Sequence, residues 1–313
     1  MFQARGCGVA IITPFKDGEI DFKSLTSLIN HIIIGGVDFI VVLGTTGESA
    51  LLTTYETEKV LNHVLTVVDN RVPIVVGNLG GNNTQALVSR IKQMDLSAFD
   101  GIMSSSPSYV KPTQEGIYRH YMKMADVSPL PVIIYNVPSR TASTVEVDTI
   151  IRLADNHPRF MAVKEASGNM NYGLKLLKEK PDHLDVLSGD DPTTMSFCMM
   201  GASGGISVIA NAFPYAFSEM IKAARSNNYA LAKSLNEQMM DIHPYLYSEG
   251  NPTGIKSLLH QMGLCSKETR LPLVAASDQL DKDLFEREIS LSTTLTLIPC
   301  SINLAANETD ESS

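Results

Sequence analysis

The chain has little positive charge: 25 Lys and Arg stand against 34 Asp and Glu, giving a net charge of −9, and no Lys/Arg run exceeds a pair. That excludes the basic footprint by which proteins neutralise nucleic-acid phosphates. Cysteine is scarce. Cys7, Cys198, Cys265 and Cys300 are far apart and form no C-x-x-C, so neither a zinc site nor a disulfide framework is indicated. Free thiols suit a reducing cytosol, and a cytoplasmic protein is expected. The apolar run Val9–Ile12 is cut short by Pro14 and Asp17, without the long apolar region of a signal peptide. No stretch approaches the roughly 18 apolar residues of a membrane span, so a soluble protein is expected. H-E-x-x-H and other histidine clusters are missing, which disfavours a metal-dependent reaction, and no metal is expected. No G-x-S-x-G elbow marks a serine hydrolase.

What the 313 residues do contain is hydrophobic content of 44%, enough for a large core. Eight short segments, GVAIIT, DFIVVLG, PIVVG, FDGIM, PVIIYN, FMAVKE, LDVLSG and GGISV, are rich in Val, Ile and Leu, as strands buried on both faces are. Polar stretches of helical length lie between them, including 22–35, 54–69, 82–95, 114–126, 145–155 and 172–179, with Asp, Thr or Asn near their starts. Eight strand–helix units predict an α/β fold of the (β/α)8 TIM-barrel type over residues 1–225. The competing doubly wound sheet usually carries a dinucleotide loop, and neither GTTGES nor GNLGG has the G-x-G-x-x-G spacing. Helices expected over 229–245, 252–262 and 276–289 form a C-terminal helical extension, residues 226–290, too small for an independent domain. Residues 291–313 mix Ser, Thr and acidic residues, and read as a poorly ordered tail.

In a barrel of this kind the C-terminal ends of the strands face the active-site mouth. This filter selects Thr45 and Thr46, Tyr109, Tyr135 and Arg140, Lys164, and Gly189 with Asp190 and Asp191. Lys164 ends the strand run Met161–Val163, where partial desolvation favours the neutral, nucleophilic amine that Schiff-base chemistry needs. The alternative is a lysine salt-bridged to Glu165. Tyr135, on the adjacent strand end, is placed either to exchange protons or simply to pack. Thr45 and Thr46 follow a glycine and suit a proton relay or a carboxylate site, although Gly-Thr-Thr-Gly is also an ordinary turn. Arg140 has the planar fork suited to a carboxylate, against the reading of a surface arginine. Asp190 and Asp191 read as caps of the next helix.

Four motifs, GTTGES at 44–49, YNVPSRT at 135–141, VKEASGN at 163–169 and SGDD at 188–191, resemble the dihydrodipicolinate synthases, and the likeness runs from about Gly8 to Ile289. That family, also called 4-hydroxy-tetrahydrodipicolinate synthases, condenses pyruvate with L-aspartate 4-semialdehyde in lysine and diaminopimelate biosynthesis and uses no cofactor. The resemblance implies a Schiff-base role for Lys164, acid/base work for Tyr135 and a relay through Thr45. It implies that Tyr109 reaches across a tight dimer to complete the relay. Arg140 matches the residue that holds the semialdehyde carboxylate, Thr46 and Ile206 match contacts to the pyruvyl group, and Gly189 matches a backbone contact at the mouth. A homotetramer built from two tight dimers is likewise implied. N-acetylneuraminate lyase and keto-deoxy-sugar-acid aldolases share the lysine and tyrosine, but resemble YNVPSRT less, particularly at its arginine. A silent keto-acid-binding barrel is a further alternative, against which the intact set of Lys164, Tyr135, Thr45 and Arg140 argues.

The chain departs from the family at the effector site, where lysine-inhibited members hold the amino acid with a glutamate, two histidines and a tyrosine. Ser49, Ala50 and Asn82 match that site. The other positions read Ala86, Thr54, Thr57 and Ser108, which removes the anionic partner of an effector ammonium. Weak or absent inhibition by lysine is expected.

Overall fold

The computed structural model describes residues 2–295, and side chains as far as residue 287. Eight parallel strands form a closed barrel: β1 (Gly6–Ala10), β2 (Phe39–Val42), β3 (Ile74–Val76), β4 (Gly101–Ser105), β5 (Val132–Asn136), β6 (Phe160–Glu165), β7 (Asp185–Ser188) and β8 (Gly204–Ser207). Each pairs with its chain neighbours, and β8 returns to β1. All eight predicted strand segments are present, and the barrel is a TIM barrel. Continuous Val/Ile runs suit such strands because one face fills the barrel and the other carries the helices. Two apolar cores follow from this geometry. An inner one includes Phe39, Val41, Val75, Met103, Ile133, Ala162, Leu187 and Ile206. An outer one packs strand residues such as Ile40, Val76, Ile134 and Val186 under the helices.

The helices are α1 (Phe22–Ile34), α2 (Thr54–Val68), α3 (Thr84–Gln93), α4 (Gln114–Val127), α5 (Val147–Asn156), α6 (Met170–Glu179), α7 (Thr194–Met199) and α8 (Pro214–Arg225). Side chains of Asp21, Thr53, Asn83, Thr113 and Asn169 accept from the first-turn amides of α1, α2, α3, α4 and α6, and Thr53 with Glu56 completes a capping box. Each satisfies a backbone donor that the helix itself leaves unpaired. A small hairpin, Phe15–Lys16 with Glu19–Ile20, sits between β1 and α1.

Beyond the barrel lie α9 (Tyr229–Met240), α10 (His243–Ser248), α11 (Thr253–Gln261) and α12 (Asp278–Leu295). The single helix expected over 229–245 is divided at Asp241–Ile242, because Pro244 has no N–H to continue the ladder and instead starts α10. Helix α12 runs to Leu295, past residue 291 where the sequence suggests a tail. Residues 296–313, including Cys300, lie outside the described residues. Among the described residues no helix is long and apolar enough to cross a membrane. Cys7, Cys198 and Cys265 are free and buried, and burial pushes each thiol up to about 12.

The β1–β8 seam closes the ring and depends on two local devices. Gly6 and Gly204 face each other so closely that a Cβ on Gly204 would lie 1.9 Å from the Gly6 carbonyl oxygen. Above them, the fully buried Asn211 donates from Nδ2 to the carbonyls of Ala10 and Val208, both at 2.9 Å, and accepts the Ile12 N–H at 3.2 Å. Truncation to alanine removes the side-chain partners of the Ile12 N–H and the Ala10 carbonyl, whereas the Val208 carbonyl keeps the Asn211 N–H at 3.1 Å. Asn211→Ala is therefore expected to lower unfolding stability by about 2–4 kcal/mol. Urea denaturation checks this, and an unchanged midpoint would mean that the seam closes without the amide.

Candidate active site

In β5 and β6 the side chains alternate between barrel interior and helix layer. Ile133 and Tyr135 face inward from one strand, and Ala162 from the other, so Lys164, two residues beyond Ala162, also faces inward. The pairing sets Tyr135 directly opposite Lys164. Lys164 is only 5% exposed, and its Nζ lies 4.7 Å from the centroid of the Tyr135 ring. The salt bridge to Glu165 does not form. Glu165 accepts instead from Asn136 Nδ2 at 2.6 Å and from the Ser167 N–H at 2.8 Å, and burial pushes its carboxyl up. Among the described residues Lys164 has no carboxylate within ion-pair distance. The Asn136–Glu165 contact also anchors the loop after β5, since Asn136 Oδ1 accepts from the Val145 N–H at 3.0 Å.

A cavity of about 290 Å³ opens at the C-terminal ends of the strands, lined by Thr45, Asn78, Ser105, Tyr135, Arg140 and Asn251 among others. It brings together three of the residues selected from the sequence: Thr45 after β2, Tyr135 at the end of β5, and Arg140 on the helical turn Pro138–Thr141. Arg140 is solvent-exposed on the rim. Thr46 lies deeper, 2% exposed, and its hydroxyl accepts from Asn251 Nδ2 at 3.0 Å. Ile206 belongs to the apolar packing of the inner core.

Gly189 stands against the lysine. A Cβ there would come within 2.8 Å of Lys164 Cε and 2.7 Å of Ala166 Cβ, and its N–H donates to the Glu165 carbonyl at 2.6 Å. Only a hydrogen fits where the Lys164 stem passes. Tyr109 is not drawn into this cavity. It is 88% exposed, on a loop held at φ +67°, and Val110 beside it is 58% exposed.

The aspartate pair differs from expectation. Helix α7 has Thr193 at its N-cap with no side-chain cap bond. Asp191, 1% exposed, instead receives the Val208 and Ile209 N–H groups at 3.0 and 2.8 Å, tying the end of β8 to the loop after β7. Burial pushes its carboxyl up and pushes the neighbouring His243 imidazole down, with Asp191 opposing the latter shift. The carboxylate caps a turn remote in sequence because that turn presents two free amides, which is the same physics in another place. The sequence survey also passed over Asn78, Ser105 and Asn251. The strand-end filter reaches the first two, at the ends of β3 and β4, and Ser105 donates to Asn78 Oδ1 at 3.1 Å. Nothing local marks Asn251.

A (β/α)8 barrel that buries a lysine amine beside a tyrosine at its mouth is the framework of a lyase of the class I aldolase type. The family model described as the dihydrodipicolinate synthetase family matches residues 3–289. The 4-hydroxy-tetrahydrodipicolinate synthase of Porphyromonas gingivalis is 46% identical over 278 residues, covering 88% of this chain and 93% of that protein. The protein of the same name from Flavobacterium psychrophilum is 41% identical over 288 residues, covering 91% and 98%. A crystal structure of chloride-inhibited dihydrodipicolinate synthase from Acinetobacter baumannii, complexed with pyruvate, matches with a TM-score of 0.87 at 37% identity, covering 92% of this chain and 99% of that one. The chain belongs to the dihydrodipicolinate synthetase family.

Gly189→Ala tests the close approach to the lysine. Displacing the amine by a fraction of an ångström is expected to lower kcat by about tenfold or more, since positional errors near 1 Å cost on the order of a hundredfold. Steady-state assay of the folded variant measures this, and wild-type turnover would show that the lysine stem has room to move.

Proposed function

We propose that this chain condenses pyruvate with L-aspartate 4-semialdehyde, as a 4-hydroxy-tetrahydrodipicolinate synthase, through an imine on Lys164. The observation that carries the reading is the inward-facing, register-matched pair of Lys164 and Tyr135 at the mouth of the barrel. The lysine amine adds to the keto carbon of pyruvate, and loss of water gives the imine. That step requires a proton delivered to the leaving oxygen, a task within reach of the Tyr135 hydroxyl relayed through Thr45. The imine draws electrons from the methyl carbon, so a proton leaves it and an enamine forms. The enamine carbon attacks the aldehyde carbon, and the aldehyde oxygen takes up a proton. The amine of the second substrate then attacks the imine carbon, closes the ring and displaces Lys164.

Arg140 on the rim supplies a cationic fork for the semialdehyde carboxylate, while Thr46 and Ile206 form the pyruvyl end and Gly189 gives backbone contact. The exposure of Tyr109 supports a role in the cavity of a second copy, placed there by a tight dimer. Two such dimers would make a homotetramer acting in the cytoplasm. The rim arginine also separates this reading from a sugar-acid aldolase, whose substrate does not need that carboxylate clamp.

Borohydride added to protein and pyruvate should fix the adduct on Lys164, located by peptide mass spectrometry, and Lys164→Ala should abolish it. Adding the semialdehyde should then give product, with Arg140→Ala raising KM for that substrate by about tenfold or more, the scale of a lost charge-assisted bond. An unlabelled Lys164 in folded protein would sink the mechanism. At the effector positions, where Ala86 stands in place of a glutamate, micromolar lysine should leave the rate unchanged, whereas Ala86→Glu should introduce measurable inhibition. Equal inhibition of the two proteins would refute that account.

A further inference from the structure

The turn that carries Thr45 and Thr46 is gripped from behind by α11 and the loop that follows it. Glu48, three residues after Thr45, is held at φ +53° with its carboxylate inside the protein. One oxygen meets the ammonium of Lys256 on α11, and both side chains are fully inaccessible to solvent. The other oxygen accepts the Arg270 N–H at 3.0 Å. Lys256 also donates to the Glu268 carbonyl at 2.8 Å and lies 4.2 Å from the centroid of the Phe15 ring. The Arg270 guanidinium covers the same ring at 4.5 Å, donates to the Leu51 carbonyl at 3.3 Å and pairs with Glu56 at the start of α2. Both ends of the segment from Glu48 to Glu56 are thus fastened to residues more than 200 positions away in sequence.

An apolar contact would hold such a turn without the cost of burying two charges. What the ion pair adds is direction. The carboxylate is held at both oxygens, by the Arg270 amide and by the Lys256 charge, and the Glu48 N–H donates to the Thr45 carbonyl at 3.1 Å, so the placement of Glu48 is passed to Thr45.

We propose that Glu48 and Lys256 are positioning residues, whose buried pair sets the place of Thr45 and so the rate at which Lys164 forms its imine. This rests on the roles of Lys164 and Thr45 given above. Removing one charge would leave the other buried and unpaired, and that alone can unfold a protein, so the informative variant is the double Glu48→Gln/Lys256→Met, which neutralises both at similar volume.

The measurement is the initial rate of borohydride-trapped pyruvate adduct on the full-length chain, beside kcat, KM for pyruvate and the melting curve. The double variant should melt cooperatively as the wild type does, yet form adduct about tenfold or more slowly, with KM for pyruvate changing much less. Lys233→Met/Glu237→Gln, which deletes a solvent-exposed pair on α9, should keep the wild-type rate. A folded Glu48→Gln/Lys256→Met protein with wild-type adduct formation would overturn the proposal and leave Schiff-base chemistry standing. A wild type that forms no adduct would overturn both. Should the double variant not fold, Glu48→Asp decides, because it keeps both buried charges while shortening the arm that ties the turn to Lys256. Severalfold slower adduct formation would support the positioning role, and an unchanged rate would refute it.

Discussion

Closing eight parallel strands into a ring is the constraint from which the rest of this structure follows. Each strand is buried on both faces, so its residues divide between a filled interior and a layer under helices, and polar side chains are confined almost entirely to the strand ends. The register of the ring then decides which ends meet. Tyr135 pairs with Lys164, Lys164 with Leu187, and Ser105 with Tyr135, so one level of the barrel mouth carries an amine, a phenol and a hydroxyl on neighbouring strands. A one-residue slip between β5 and β6 would turn either group into the helix layer.

Burying an amine in that position requires that the surrounding polar groups be engaged elsewhere. Glu165, the nearest carboxylate along the chain, is taken up by Asn136 and the Ser167 amide, and Asp191 by the amides of Val208 and Ile209. These contacts do two things at once. They satisfy groups that burial would otherwise make costly, and they leave Lys164 without a carboxylate within ion-pair distance. Its counterpart is Lys256, fully buried but bound to Glu48, with burial pulling its amine down and Glu48 opposing that. Of these two buried lysines, then, one faces a carboxylate and the other does not.

The strand segments and most helix starts were legible because both are local. Val-, Ile- and Leu-rich runs of a few residues, separated by stretches opening on Asp21, Thr53, Asn83 or Thr113, carry their period and caps within about fifteen residues. The strand-end rule also found Thr45, Tyr135 and Lys164, since a polar residue closing an apolar strand is visible without knowing its neighbours. Where the reading went astray, the partner was distant. Asp191 looked like a helix cap because a carboxylate before a helix usually is one, and only the approach of β8 offers it better donors. The amphipathic period continues unbroken from 229 to 245, and Pro244 alone divides the stretch into two helices.

From the sequence alone came the barrel, the family resemblance, and the short set of residues able to do chemistry, because strand period, capping and motif spacing are properties of contiguous chain. Tertiary structure decided what those residues face. It turned Lys164 inward beside Tyr135, pressed Gly189 against the lysine stem, left Tyr109 in solvent, and brought Lys256 and Arg270 behind the turn of Thr45 and Thr46. Those outcomes depend on register and ring closure, which join segments as many as 222 positions apart, and no local pattern encodes which distant group will arrive.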